Sequence, residues 1–166
     1  RDMKPSNLML TTTGQVKILD MGLALLEEHR ADQQRDLTAA GQMMGTLDYM
    51  APEQGADSHE VDIRADIYSL GATLFKLLTG EVPFSKKKYG TPVKMLIALA
   101  TKSAPSITTI RSDLPSELAG IVDRMLARQP QDRFAAPQEV AAALAPFAAA
   151  ADLRHLSVKA MAAVPP

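Results

Sequence analysis

The sequence predicts a mostly α-helical fold that contains one small β-hairpin near its start. Apolar residues recur at helical spacing in four stretches between residues 62 and 147. Two shorter apolar runs lie before residue 20 and flank a turn that contains glycine, which is typical of a hairpin. At 166 residues the chain can bury the core of one domain, and two full domains are not expected.

The hairpin is predicted from the runs Leu8–Leu10 and Val16–Leu19, which are separated by a turn at residues 11–15. Asn7 comes directly before the first strand, and Asp20 comes directly after the second. Because the two strands of a hairpin run antiparallel, these two residues are expected at the same end. Their side chains could then point at one metal ion.

The longest helical pattern begins at Asp62 and ends before Gly80, a residue suited to a helix C-terminus. It carries apolar neighbours on most sides, and a helix that is apolar all round is a buried helix. We therefore expect this helix to form the centre of the core. The residues that set its period are Ile63, Ile67, Leu70, Leu74, Leu77 and Leu78.

Three further helices are predicted downstream. The first covers Pro92–Thr101. The second covers residues 114 to about 128, has a proline and an acid in its first turn, and is broken by Pro130. The third covers residues 136–147 and is rich in alanine. Together with the central helix they make the predicted fold mostly α.

Four segments lack a clear pattern. Residues 23–50 form a long stretch in which only 23–35 could give one or two helical turns, and loops beyond about 15 residues are usually functional or disordered. The lysine triplet at 86–88 is interpreted as a solvated loop rather than a binding site. Residues 102–113 form a connector rich in proline, serine and threonine, and the tail from Asp152 has weak signals.

Composition excludes several classes of function. The net charge of −1 argues against a nucleic-acid or anionic-membrane binder. The chain has no cysteine, so it forms neither a disulfide framework nor a thiolate metal site, and its three histidines are too far apart to suggest zinc. The longest apolar run, Val140–Ala151, contains Pro146 and is too short to span a bilayer. We expect a cytoplasmic domain, whose parent could be anchored in a membrane outside this chain.

Two carboxylates, one amide and one lysine lie within the first twenty residues, at Asp2, Lys4, Asn7 and Asp20. Such a set suits the binding of magnesium and a polyphosphate beside a hydroxyl nucleophile, because Mg²⁺ prefers hard oxygen ligands. Each residue alone would more often be a loop carboxylate, a turn former or a cap. The prediction therefore depends on the residues occurring together.

Five motifs follow one another along the chain: Arg1-Asp2-x-Lys4-Pro5-x-Asn7, Asp20-Met21-Gly22, Ala51-Pro52-Glu53, Asp66-Ile67-Tyr68-Ser69-Leu70-Gly71 and Asp132-Arg133-Phe134. Together they resemble the eukaryotic-type protein kinases, in the family's order and over nearly the whole chain. The first motif is similar to the family's catalytic loop, the second to its Asp-Phe-Gly and the third to its Ala-Pro-Glu. The fourth is similar to the start of the central helix of the C-terminal lobe, and the fifth contains the arginine that pairs with the glutamate of the third. The stretches that look most like the bacterial members of the family are Gly45-Thr46-x-x-Tyr49-Met50-Ala51-Pro52-Glu53-Gln54 and Ser69-Leu70-Gly71-Ala72-Thr73-Leu74.

The resemblance implies a role for each residue of the first set. Asp2 would accept the proton of the substrate hydroxyl or orient that hydroxyl, and Lys4 would contact ATP and neutralise charge on the transferring phosphoryl group. Asn7 and Asp20 would hold Mg²⁺. Lys4 together with Thr46 resembles serine/threonine kinases rather than tyrosine kinases. The implied reaction is transfer of the γ-phosphoryl group of ATP to Ser/Thr hydroxyls of proteins.

The resemblance also implies regulatory and structural residues. An arginine before the catalytic aspartate, here Arg1, is a feature of kinases that are switched by phosphorylation, because a guanidinium can pair with a phosphate through two hydrogen bonds. Thr38 is our candidate acceptor, with an unmodified loop threonine as the alternative. Glu53 and Arg133 are expected to form a partly buried ion pair. Asp66 is expected to accept backbone donors from the catalytic loop.

The chain departs from the family pattern at three points. Met21 replaces the usual phenylalanine, and an apolar, flexible side chain can fill the same slot. The segment from Asp20 to Glu53 is longer than in compact kinases, which suggests mobility or a regulatory insert. The glycine-rich loop, the lysine that anchors ATP, its partner glutamate and the histidine before Arg1 are all absent from the sequence.

We therefore predict the C-terminal lobe of an α+β kinase fold, with the N-terminal lobe absent. Residues 1–149 would be the kinase part, with the catalytic loop at 1–7, the activation segment at 20–53 and the central helix at 62–79, and 150–166 would be a tail. The chain alone is expected to be inactive, because the absent lobe supplies the adenine pocket and most phosphate contacts. A non-catalytic protein-docking lobe and a decayed or incomplete kinase are the alternatives.

Overall fold

The structure is a computed structural model, and it describes residues 3–19, 47–55 and 61–163. Within these ranges, two strands form a single antiparallel hairpin and six α-helices follow it. This architecture confirms the predicted mostly α fold with one hairpin. The strands are β1 (Leu8–Leu10) and β2 (Val16–Ile18), and the helices are α1 (Ile63–Thr79), α2 (Lys86–Tyr89), α3 (Pro92–Thr101), α4 (Ser116–Met125), α5 (Pro137–Ala148) and α6 (Leu153–Ala162).

The hairpin is short and is held at both ends by backbone hydrogen bonds. Leu8 pairs with Ile18 across the two strands. At the turn, the Thr11 N–H donates to the carbonyl oxygen of Gln15 over 2.8 Å. At the open end, the Leu19 N–H donates to the Asn7 carbonyl oxygen over 2.7 Å. The hairpin therefore brings residues 7 and 19 side by side.

Helix α1 is the central element of the core, as the sequence predicts, because it contributes to both of the buried clusters. It begins after Asp62, whose carboxylate accepts a hydrogen bond from the Arg64 N–H over 2.8 Å, and ends before Gly80 at a φ of +77°. One cluster contains Ala51, Ala65, Tyr68, Ala72, Phe75, Phe84, Met95, Ala98, Leu99, Ile107, Ala119, Val122 and Leu126, and the other contains Ile67, Met125, Phe134 and Val140.

The buried face of α1 differs from the predicted one. Ile63 and Leu77 belong to the predicted apolar stripe, but 46% and 64% of their surfaces are exposed. The buried face consists instead mainly of small and aromatic residues, because α4 packs closely against that side of α1. The expectation that the whole stripe is buried is therefore wrong. The fully buried members of the face are Ala65, Ile67, Tyr68, Ser69, Gly71, Ala72, Thr73 and Phe75.

Two helices lie where the sequence predicts none. The lysine triplet interpreted as a loop forms the short helix α2, whose first turn is capped by the Ser85 hydroxyl. The weakly patterned tail forms α6, and its N-terminus is capped by Asp152, which accepts from the His155 N–H over 2.8 Å. The cap residue Asp152 is a sequence signal for this helix, but it lacks a strong apolar stripe beside it.

Gly71 sets the distance between α1 and α4, and its replacement by alanine tests how tightly they pack. A Cβ atom at Gly71 would lie 2.8 Å from the Met125 Cβ, so Gly71→Ala is expected to lower the free energy of unfolding by about 1–3 kcal/mol. Gly120 is the matched control, since it is also helical but has nothing within 4 Å of the added carbon. Gly120→Ala should stabilise the chain by up to about 1 kcal/mol through helix propensity. Urea denaturation of both variants checks this, and equal effects would contradict it.

Candidate active site

The structure describes half of the residues that the sequence predicts for the site. Those outside the described ranges are Arg1, Asp2, Asp20, Thr38 and Thr46. Those inside them are Lys4, Asn7, Glu53, Asp66 and Arg133. The described residues fall into two groups, one at the open end of the hairpin and one around the buried guanidinium of Arg133.

The first group is built on a turn of 3-10 helix at Pro5–Asn7. Lys4 precedes this turn, and its carbonyl oxygen accepts a hydrogen bond from the Asn7 N–H over 2.9 Å. Asn7 is buried, and its carbonyl oxygen is bonded to the N–H of Leu19. Asp20 follows Leu19 in the sequence and lies outside the described residues, so Asn7 is the one predicted metal ligand that the structure describes. Amide and carboxylate oxygens fit a magnesium ion.

A residue that the sequence analysis missed links this turn to the core. Thr73 lies in the middle of α1 and is 1% exposed, and its hydroxyl donates to the Met3 carbonyl oxygen over 2.8 Å. Met3 stands between Asp2 and Lys4, so the central helix directly fixes the backbone of the predicted catalytic loop. The signal in the sequence is a threonine among apolar residues in a buried helix, where a polar group needs a partner. Asp66 lies in the first turn of the same helix.

Glu53 and Arg133 are in direct contact. The two carboxylate oxygens accept from the two terminal guanidinium nitrogens over 2.6 and 2.8 Å. The Arg133 side chain is fully buried, whereas 20% of the Glu53 side chain is exposed. Glu53 lies in the 3-10 helix Pro52–Gly55, and Arg133 ends the 3-10 helix Pro130–Asp132. The pair therefore joins segments 80 residues apart.

All five N–H groups of the Arg133 guanidinium are used. Besides the two bonds to Glu53, the Nε group donates to the carbonyl oxygen of Ala127 over 2.7 Å. The remaining two hydrogens go to the carbonyl oxygens of Arg64 over 2.9 Å and Arg128 over 3.1 Å. Only arginine offers five donors in a planar arrangement. Arg133 thus connects the start of α1, the end of α4 and the segment that contains Glu53.

Tyr68 covers one face of this guanidinium. The Arg133 carbon lies 4.9 Å from the centre of the Tyr68 ring, which is within the range of a cation–π contact. Burial raises the pKa of the Tyr68 phenol well above its usual range, the Arg133 charge lowers it, and the Glu53 charge raises it. The phenol is therefore neutral at all physiological pH values and acts here as an aromatic surface.

The segment around Glu53 is fixed by further contacts. Ala51 is fully buried, and its N–H donates to the side-chain oxygen of Gln54 over 2.8 Å. Burial raises the pKa of Asp48, and the positive charge of Lys76 partly offsets this effect.

The described residues contain no group of three or more His, Asp or Glu side chains that could hold a metal ion by themselves. None of their helices is long and apolar enough to cross a bilayer.

Comparisons with known proteins agree with the resemblance seen in the motifs. The family model for the protein kinase domain matches residues 1–144. The tyrosine-protein kinase MasK of Myxococcus xanthus is 41% identical over 147 residues, which are 89% of this chain and 21% of that protein. The serine/threonine-protein kinase PknB of Mycobacterium tuberculosis is 34% identical over 144 residues, covering 87% of this chain and 22% of the relative.

A third relative, the probable serine/threonine-protein kinase PknB of Lactococcus lactis, is 31% identical over 140 residues, covering 84% of this chain and 21% of that protein. The chain therefore spans about a fifth of the length of these curated relatives. The matched region includes both groups of site residues, and it ends within α5. On the family match and on this similarity, the chain belongs to the protein kinase domain family, in its eukaryotic-type form found in bacteria.

Proposed function

We propose that this chain is the hydroxyl- and metal-handling part of a serine/threonine protein kinase. The observation that carries the proposal is the open end of the hairpin, where the Leu19 N–H donates to the Asn7 carbonyl oxygen and the Asn7 N–H donates to the Lys4 carbonyl oxygen. In the proposed reaction, Asp2 orients the substrate hydroxyl and accepts its proton, and Lys4 neutralises charge on the phosphoryl group. Phosphoryl transfer needs chiefly such positioning and charge stabilisation.

Asn7 and Asp20 are the residues that would hold Mg²⁺. Two protein ligands are enough for this ion, because it usually keeps several waters and completes its shell with phosphate oxygens. When bound, the ion neutralises phosphate charge. The buried position of Asn7 keeps its amide in one place, which suits a ligand that must meet a small octahedral ion.

We infer that the adenine and most phosphate contacts come from a lobe outside these 166 residues. The sequence contains none of the family's glycine-rich loop, strand lysine or partner glutamate. Residues outside this chain would therefore bind the adenine and most of the phosphates of ATP and position its γ-phosphate near Asp2 and Lys4. Protein substrates carrying serine or threonine would be the acceptors, and the reaction would take place in the cytoplasm, where ATP is available.

The long segment between Asp20 and Glu53 is proposed to be the regulated part. Arg1 would pair with a phosphate on Thr38 and so order that segment, and Thr46 would connect it to the catalytic loop. The Glu53–Arg133 pair would fix its end to the helical core, which is supported by the five hydrogen bonds of Arg133. Asp66 would accept backbone donors of the catalytic loop.

Tyrosine is a second candidate acceptor, because the relative that is 41% identical carries the name tyrosine-protein kinase. Lys4 and Thr46 favour serine and threonine. We expect the full-length protein that contains this chain to place radioactive phosphate from ATP on serine and threonine, with phosphotyrosine below a tenth of the total. Acid hydrolysis and phosphoamino-acid separation measure this directly. Phosphotyrosine as the main product would replace the proposed specificity by the alternative.

A further inference from the structure

Helix α6 lies on the turn of the β1–β2 hairpin, although it begins after the last residue that the family model matches, residue 144. Ser157 is the most buried residue of the helix, with 5% of its surface exposed. Its hydroxyl donates to the Arg154 carbonyl oxygen over 2.8 Å and makes a longer contact of 3.5 Å with the Thr12 carbonyl oxygen. The far end of the chain therefore meets the turn of the hairpin.

The backbones of the hairpin turn and of α6 also approach each other closely at Gly14. A Cβ atom at Gly14 would lie 2.9 Å from the Arg154 nitrogen and 3.2 Å from its Cα. Gly14 also has a φ of +82°, so glycine is needed at this position both for the turn and for the approach of α6. Beside this contact lies an apolar cleft of about 220 Å³, lined by Leu10, Thr12, Ser157, Ala160 and Met161.

Within the described part of the chain, β2 has little support besides its pairing with β1. All three residues of β2 are exposed, and an isolated two-stranded hairpin is marginally stable in water. A third element packed on the turn would therefore shift the hairpin toward its paired state. The opposite end of the same hairpin carries Asn7 and Leu19, joined by their backbone hydrogen bond.

We propose that α6 is a latch on the hairpin, and that docking of α6 orders the strands that carry the metal-binding end. Release of α6 would loosen the pairing of residues 8–10 with 16–18 and so the position of Asn7. Helix α6, which follows the matched kinase region, would thereby regulate the metal-binding end of the hairpin by contacting its opposite end, the turn. The effect on magnesium rests on the proposed function, whereas the ordering of the hairpin does not.

Hydrogen exchange of the full-length protein tests the latch with two matched pairs of variants. Gly14→Ala places a carbon against Arg154, whereas Gly90→Ala has the same φ of +82° with nothing within 4 Å. Ser157→Glu places a charge in the contact, whereas Val158→Glu makes the same addition at a residue that is 59% exposed. The first member of each pair disrupts the contact from one side, and the second does not touch it.

Gly14→Ala and Ser157→Glu are each expected to speed exchange about tenfold in α6. Ser157→Glu leaves the sequence of the hairpin unchanged. Faster exchange of the cross-strand amides of β1 and β2 in the Ser157→Glu variant would therefore show that α6 orders the strands. Gly90→Ala and Val158→Glu should leave both regions within twofold of the parent. Unchanged exchange in α6, or an unchanged hairpin once α6 is released, would overturn the latch.

A second readout separates the latch from the proposed function. If both hold, the Mg²⁺ concentration for half-maximal phosphate transfer rises severalfold in Ser157→Glu and not in Val158→Glu. A kinase whose Mg²⁺ dependence is identical in the two variants would overturn the regulatory part of the proposal. If neither the parent protein nor any variant transfers phosphate, the proposed function is wrong. Hydrogen exchange still decides in that case whether α6 orders the hairpin.

Discussion

Replacement of Arg133 by methionine is expected to lower the free energy of unfolding by about 3–5 kcal/mol. The change leaves the Glu53 carboxylate, four-fifths buried, without its counter-ion. It also removes the donors of three carbonyl groups, those of Arg64, Ala127 and Arg128. A largely buried charge without its partner and the loss of three hydrogen bonds from a charged donor are both costly, so this change is expected to have the largest effect on stability.

Two further variants separate the ion pair from a loss of packing. The double change Glu53→Leu with Arg133→Met should recover part of the stability, because replacing a whole buried pair costs less than removing one partner. Arg111 is the matched control, since it also forms a two-bond pair, with Asp113, but on the exposed surface. Arg111→Met should change stability little, because exposed pairs contribute little. Denaturant unfolding at fixed pH compares the three. Equal effects of Arg133→Met and Arg111→Met would contradict the assignment.

The architecture could be predicted from the sequence because it depends on local patterns. The period of the apolar residues identifies α1, and Asp62 and Gly80 mark its ends through ordinary cap chemistry. The hairpin follows from two apolar runs around a glycine-containing turn. The contact between Glu53 and Arg133 could be anticipated only through the family resemblance, since nothing local relates two residues 80 positions apart.

The remaining features depend on tertiary packing, which the spacing of apolar residues along the sequence does not indicate. Thr73 meets the carbonyl of Met3 across 70 residues, and Ser157 meets that of Thr12 across 145. The exposure of Leu77 follows from the side on which α4 packs, and not from the hydrophobicity of the residue itself. Helix α6 has weak apolar periodicity, so its place in the fold comes from its contact with the hairpin.

Replacement of Asp2 by asparagine is expected to have the largest effect on catalysis. In the full-length protein that contains this chain, Asp2→Asn is expected to reduce kcat by about 10²–10⁴-fold. The amide has nearly the same shape as the carboxylate but cannot accept the proton of the hydroxyl, so the affinities for ATP and Mg²⁺ should change little. Asp123→Asn is the control, because Asp123 is an exposed carboxylate on α4 whose loss should leave kcat unchanged.

The measurement that tests the central claim most directly is phosphate transfer from radioactive ATP by two purified proteins, the 166-residue chain and the full-length protein that contains it. If the chain carries only the part of the site that handles the hydroxyl and Mg²⁺, it will transfer no more phosphate alone than its Asp2→Asn variant does. The full-length protein will transfer phosphate, and Asp2→Asn will abolish nearly all of it. Transfer by the 166-residue chain alone that is lost on Asp2→Asn would contradict the account.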